Sequence, residues 1–219
     1  MSDIFQEVDE EVRRDKALEF WTKYQNLILA VAVLIVLATA GYRYYQYRSL
    51  QASEAAGAAF QQALDLDRDG KAAEARAALA KVAGDAPGGY RALARFAEAA
   101  LTAKSDPKAG AAAYDALADD ASLDPLFRDA ARLRAALARL AAGDAEASKS
   151  QLETLATPTG VFRNTARLTL GAIAIQAKDY TTAGKWLDLV AADPAAPASE
   201  KQSAESLLGV VASNASAAK

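Results

Sequence analysis

Cysteine and histidine are both absent from the 219 residues. Their absence removes zinc sites of the Cys or His type, Ser-His and Cys-His nucleophile pairs, and imidazole general bases. It does not settle the compartment, because an oxidising one permits disulfides without requiring them. Helix breakers are scarce, with 12 Gly and 6 Pro, and no stretch alternates polar and apolar residues as a half-buried strand would. The chain reads as all-α. Beyond residue 23 acids and bases balance at 21 each, so no basic stripe exists to hold nucleic-acid phosphates. Carboxylate or lysine chemistry is still possible in principle. No convergent cluster of such residues stands apart from the solvated helix faces, so neither an enzyme nor a cofactor is expected.

What is present in excess is alanine, 57 of 219 residues, the best helix former and one that lets helices approach closely. Charge is missing altogether from one long stretch, the 19 residues Tyr24 to Tyr42. As a helix it would span about 28 Å, close to the hydrocarbon thickness of a bilayer. Its apolar core runs from Leu27 to Gly41. Trp21 and Tyr24 stand before the core, and Tyr42, Arg43, Tyr44, Tyr45 and Tyr47 follow it, in the pattern of aromatic belts at two membrane faces. Two readings stay open for this stretch. One is an uncleaved anchor. The other is a secretory signal, since Ala38-Thr39-Ala40 has the small-x-small form that signal peptidases use. The preceding 26 residues are long and acidic, unlike the short positive leader of a signal. Arg13, Arg14, Lys16 and Lys23 precede the span, and only Arg43 and Arg48 closely follow it. That bias places the N-terminus in the cytoplasm, and in a bacterium the rest of the chain in the periplasm.

Residues beyond 50 are repetitive. Four blocks align: Ala75-x3-Leu79, Gly110-x3-Tyr114, Ser148-x3-Leu152 and Ala183-x3-Leu187, each followed two residues later by an apolar-Ala pair. The large residues are separated by 35, 38 and 35 positions. Nine residues before each stands Gly70, Ser105, Gly143 or Lys178, where a helical hairpin would turn. Asp106, Asp144 and Asp179 come next, with Lys71 in that place in the first block. A small residue lets the two helices of a hairpin close, and the large one fills the groove against the neighbouring unit. A period near 34 points to tetratricopeptide-type repeats. The last unit matches that type best, with Leu170-Gly171, Lys178-Asp179-Tyr180, Ala183, Leu187 and Asp193-Pro194. The middle units are degenerate, carrying Glu98 or Ala136 where Gly171 stands in the last. Ser199 to Val211 reads as a closing helix capped by Ser199.

The expected organisation is therefore an acidic amphipathic tail at 1–23, a transmembrane helix at 24–45 and a helical linker at 46–57. A tetratricopeptide-like solenoid follows at 58–212, and a disordered tail at 213–219. In the tail, Asp3 and Gln6 can form a capping box, with Ile4, Val8 and Val12 on one face. Glu and Asp crowd the opposite side, so the tail reads either as a frayed solvated helix or as a short acidic helix that docks a basic cytoplasmic partner surface. Asp65 to Gly70 bears a faint likeness to a calcium loop, without its spacing or terminal Glu, and reads as a turn. Arg91, Arg95, Arg132, Arg139, Arg163 and Arg167 fall on the predicted first helices of the hairpins. They are candidates for a binding groove, though such side chains also serve simply to solvate Ala-rich helices.

The join Gly41-Tyr42-Arg43-Tyr44-Tyr45, the following Ala58, Ala59, Phe60 and Ala63, and the opening Asp3 to Arg14 resemble the ancillary SecYEG translocon subunit family (YfgM-like), in its alphaproteobacterial branch. The resemblance covers nearly the whole chain and rests on layout and the membrane-exit residues. It implies a non-enzymatic, single-pass inner-membrane protein beside the SecYEG protein-export channel. Such a protein works with periplasmic chaperones, including a membrane-anchored peptidyl-prolyl isomerase. The alternative is a signal-cleaved soluble periplasmic repeat adaptor that coordinates envelope machinery.

Overall fold

The computed structural model describes the backbone of residues 3–217, with side chains described at 14, 18–27 and 29–214. The proposed capping box and apolar face of the acidic tail lie outside the described side chains. Helices account for 84% of the chain, and none of the described residues is in a strand. The chain divides into two compact units, Met1–Ala55 and Ala56–Lys219.

The first unit consists of helix α1, Asp3–Arg68, as far as residue 55. An 18-residue window in it has a mean hydropathy of 2.0, and none of that window is buried. It is the one helix among the described residues long and apolar enough to cross a membrane, by length and composition. Trp21, Leu27, Tyr42, Tyr44 and Tyr45 are exposed, as are Gly41 and Arg43. Tyr24 is half-buried, with its ring 4.7 Å from that of Phe20 and the Lys23 ammonium 5.5 Å from its centroid. Ala38, Thr39 and Ala40 lie mid-helix, where the Thr39 hydroxyl donates back to the Ile35 carbonyl.

The second unit begins with the last turns of α1. It continues through α2 (Ala72–Asp85), α3 (Gly88–Ser105), α4 (Pro107–Ala118), α5 (Pro125–Ala141), α6 (Ala145–Leu155), α7 (Arg163–Gln176), α8 (Tyr180–Ala191) and α9 (Ala198–Ala217). The core is a row of four apolar clusters, each built around one second helix of a hairpin. Leu79 of α2 packs with Ala56 and Ala63 of α1 and Ala94 of α3. Tyr114 of α4 packs between Ala99 of α3 and Ala131 and Ala135 of α5. Leu152 of α6 packs between Leu133 and Ala136 of α5 and Ala166 and Leu170 of α7. Leu187 of α8 closes the row with Ala204, Leu207 and Val211 of α9. Each large residue thus fills the gap between one hairpin and the next, as stacked repeats require. The small partners Ala75, Gly110, Ser148 and Ala183 are all buried. Gly171 of α7 lies against Leu187, so close that a Cβ there would stand 2.8 Å from that side chain.

Turn chemistry follows the same register. Gly70 and Gly143 adopt φ of 79° and 84°, a conformation in which a Cβ is costly, and Lys178 adopts 60° in their place. Asp106 caps α4 by accepting from the amides of Lys108 and Ala109. Asp144 accepts from Ala147, and Asp179 from Thr182. Lys71 precedes α2 with no side-chain cap, yet its φ and ψ of −88° and 57° lie near the −91° and 72° of Asp144. The backbone is already set for a cap, and a cation there opposes the helix dipole. Lys71→Asp is therefore expected to stabilise the fold by about 1 kcal/mol, raising the melting temperature by about 2–4 °C. A melting temperature unchanged within error would refute the capping argument.

Two boundaries differ from expectation. Helix α9 starts at Ala198, with the Pro197 carbonyl accepting from Glu200 and Lys201, so Ser199 is inside the helix rather than its cap. It also runs to Ala217, past the boundary expected at residue 212. The reason is compositional: Ala and Ser follow Val211 with no Gly or Pro to stop the helix.

Candidate interaction surface

The first helices of the hairpins, α3, α5 and α7, carry the six arginines expected to line a groove. All six are engaged within the chain. Arg91 Nη2 donates to the Ala86 carbonyl at 3.2 Å. Arg95 reaches Asp120, just past its own α4, at 2.5 Å. Arg132 pairs with Asp129 on its own helix at 2.5 Å. Arg139 bridges to Asp115 of α4 and to Gln151 of α6, tying the second repeat to the third. Arg163 Nε donates to Asp193, just past α8, at 2.7 Å. Arg167 is 6% exposed, donates to the Ala156 carbonyl and the Asn164 amide oxygen, and stands 3.8 Å from the same Asp193. These candidate groove arginines thus serve mostly as internal ties. Helix register places the arginines on the correct elements, but their reach lets them bond across a hairpin to the loop beyond its second helix.

Two of the acceptors share a local design. Asp120 takes the Ser122 amide and hydroxyl, and Asp193 takes the Ala195 amide, each closing a turn two residues on. This arrangement leaves each carboxylate poised toward a first helix. Hydrogen bonds from the Ser122 hydroxyl and from Arg95 hold the Asp120 carboxyl well below the usual carboxylate range. The Arg163 side chain and the Ala195 amide do the same for Asp193. A depressed carboxyl stabilises the fold above its unfolded pKa, near 4, and that stability is lost as pH falls toward the folded value. The melting temperature is accordingly expected to hold level from about pH 7 to pH 5 and to drop below about pH 4. Asp193→Asn should lower it at neutral pH and flatten the acid limb. Asp120→Asn should add to this independently, because the two sites lie in different repeats. An acid limb unchanged in the double variant would overturn this account. Thermal melts across the pH range measure it.

A few large apolar side chains also face outward. Leu93, Leu126, Phe127, Val161 and Leu189 are large, exposed and outside the four clusters. Phe127 leans on Phe96 of α3 at 6.1 Å, and Phe96 in turn meets Tyr114 at 6.0 Å. The repeat pattern of the sequence singles out none of these exposed residues. The available signal was their failure to fall on the small-x3-large register. A cleft of about 420 Å³ opens between the first turns of α5 and the loop from α6 to α7, lined by Asp129, Arg132, Thr157 and Val161 among others. Another, of about 530 Å³, lies beside the Arg139–Asp115 pair. No group of three or more metal-ligating side chains occurs among the described residues.

Stacked hairpins of this kind offer extended surfaces for protein partners, and such domains are typically non-catalytic. No curated protein and no solved structure matches the chain. The model of one family, described as a tetratricopeptide repeat-like domain, matches residues 18–153, from within α1 to the middle of α6. With well over half its length matched, and with four hairpin clusters in one register, the chain belongs to the tetratricopeptide repeat-like domain family.

Proposed function

We propose that this protein is a membrane-anchored, non-enzymatic scaffold whose repeat surface holds protein partners at the protein-export channel. The observation that carries the anchor is the apolar stretch of α1. Leu29, Leu34, Val36 and Leu37 are each about two-thirds exposed, and nothing among the described residues covers them. An apolar helix bare on every side is matched by a bilayer rather than by water. The exposed tyrosines after it suit the headgroup region, and the Lys and Arg before it favour a cytoplasmic N-terminus. The family match begins at Leu18 and so takes in this stretch together with the repeats as far as the middle of α6. In the resulting arrangement the span tethers the repeat domain in the bacterial inner membrane, with residues 58–212 on the periplasmic side. The resemblance in layout supplies the partners: the SecYEG translocon and a periplasmic chaperone or membrane-anchored peptidyl-prolyl isomerase.

Ala38-Thr39-Ala40 supports a second reading, a cleaved and soluble periplasmic adaptor. The mass of the mature protein separates the two. The anchor requires the apolar stretch to be retained in the membrane fraction, and loss of about 40 residues would establish cleavage. The partner assignment is tested by photocrosslinking from positions within the span in native membranes. Enrichment of the channel subunits is expected, and their absence from the crosslinked products would remove the translocon from the proposal.

A further inference from the structure

In the fourth repeat two arginines one turn apart on α7 serve one carboxylate. Arg163 donates to both oxygens of Asp193, from Nε at 2.7 Å and Nη2 at 3.2 Å, and Arg167 stands 3.8 Å away. The third repeat lies 35 residues earlier in the same register. Leu152 corresponds to Leu187, Ser148 to Ala183, Asp144 to Asp179, and Gly143 at φ 84° to Lys178 at φ 60°. The same offset sets Arg128 against Arg163, Arg132 against Arg167, and Pro158 against Asp193. The third repeat keeps both guanidiniums and lacks the carboxylate.

The consequence is visible at single atoms. Arg163 Nε is the donor that meets Asp193, and its counterpart, Arg128 Nε, is buried with no hydrogen-bond partner. A buried donor left unmade costs the full desolvation of that group. Arg132 turns to Asp129 on its own helix, and that single carboxylate leaves the two arginines one positive charge in excess. The loop differs as well. Ala196, which follows Asp193, is 8% exposed, whereas its counterpart Val161 is 65% exposed. The cleft of about 420 Å³ opens there, with Asp129, Arg132, Leu155, Thr157, Gly160 and Val161 on its walls.

We propose that the third repeat binds an aspartate or glutamate side chain of a partner polypeptide in this cleft. The partner supplies from outside the carboxylate that Asp193 supplies from within in the fourth repeat. The proposal rests on the scaffold reading and deepens it. The chain's own Asp193-Pro194-Ala195 segment shows the form of the ligand: a carboxylate in a tight turn, followed by small apolar residues. Leu155 and Val161 offer an apolar shelf for the residues flanking the acid, and the threonine hydroxyls offer hydrogen bonds to its backbone. Charge-assisted bonds to guanidinium are directional and among the stronger polar contacts.

The test selects a random peptide library displayed on phage against the full chain in detergent micelles. Synthetic versions of the selected peptides are then titrated onto three proteins. These are the wild type, the double variant Arg128→Gln with Arg132→Gln, and Pro158→Asp, which restores the internal carboxylate. Selected peptides are expected to carry Asp or Glu and to lose about tenfold or more in affinity on both variants. Pro158→Asp should also melt above the wild type, which shows that it folds and that its clamp is closed. Failure to enrich any peptide, enrichment of peptides without a carboxylate, or affinity indifferent to Pro158→Asp would overturn the site. Inorganic phosphate competing where no peptide is selected would make it a free-anion site and overturn it too. Peptides that bind elsewhere on the repeats would leave the scaffold reading standing while removing this cleft from it.

Discussion

Replacing Gly110 by alanine is expected to destabilise the repeat domain by about 3 kcal/mol, at the upper end of the cost of overpacking a core. That corresponds to a fall of roughly 10 °C in melting temperature for a domain of this size. A Cβ at 110 would stand 2.3 Å from both Cα and Cβ of Ala103 and 2.6 Å from its nitrogen. Two of those atoms are backbone of α3, so no rotamer change relieves the clash and the two helices must part. The connection explains why this hairpin alone demands glycine. In the third and fourth repeats the turn spans three residues, 142–144 and 177–179, whereas α3 and α4 are joined through Asp106 alone. The shorter join draws the first turn of α4 down onto Ala103. The corresponding positions hold Ala75, Ser148 and Ala183, each wholly buried without a clash. Ser148→Ala provides the contrast. The Ser148 hydroxyl is buried and makes no hydrogen bond, so its removal should be neutral or stabilise by about 1 kcal/mol. Melting by far-UV circular dichroism measures both. Equal effects at 110 and 148 would show that the small position is generic and that the short join has no consequence.

The difference between what is legible in the sequence and what is not follows the same physics. Leu79, Tyr114, Leu152 and Leu187 can be found from spacing because a repeating hairpin returns each of them to one geometric position, and that position is the core. Asp106, Asp144 and Asp179 can be found because a cap is a local bond spanning two or three residues. Lys178 falls in the turn register although it is not glycine, and only the backbone shows that it takes the left-handed conformation. The arginine partners are hidden for a different reason. Arg95 and Asp120 are 25 residues apart, and Arg163 and Asp193 are 30 apart. Helix register sets the face from which a long side chain departs without setting the loop at which it arrives. Gly110 can be read as a small residue, but its necessity depends on the length of the Asp106 join. The vacancy at Pro158 becomes visible only when the fourth repeat shows what Asp193 does, since a lone proline in a loop carries no sign of a missing charge.

Leu152→Ala is expected to cost about 2–5 kcal/mol, the range for truncating a fully buried leucine, and to do so unevenly along the chain. Leu152 is 0% exposed at the centre of the cluster that joins α5, α6 and α7, with Trp186 of α8 against its edge. In a solenoid each repeat contacts only its neighbours, and stability is approximately a sum of repeat terms and interface terms. Removing three side-chain heavy atoms from this one interface weakens the coupling of the fourth repeat and α9 to the rest. The second cluster, around Tyr114, shares no buried residue with it. Hydrogen exchange followed by mass spectrometry should therefore show protection falling in α6 to α9 before α2 to α4. The melting transition should broaden as well as shift, because two segments of unequal stability no longer melt together. Leu187→Ala, one repeat further on, should confine the loss to α8 and α9 and leave α5 and α6 protected. A uniform loss of protection in both variants would mean that the domain behaves as one cooperative core, and that the four clusters are divisions of geometry without energetic independence.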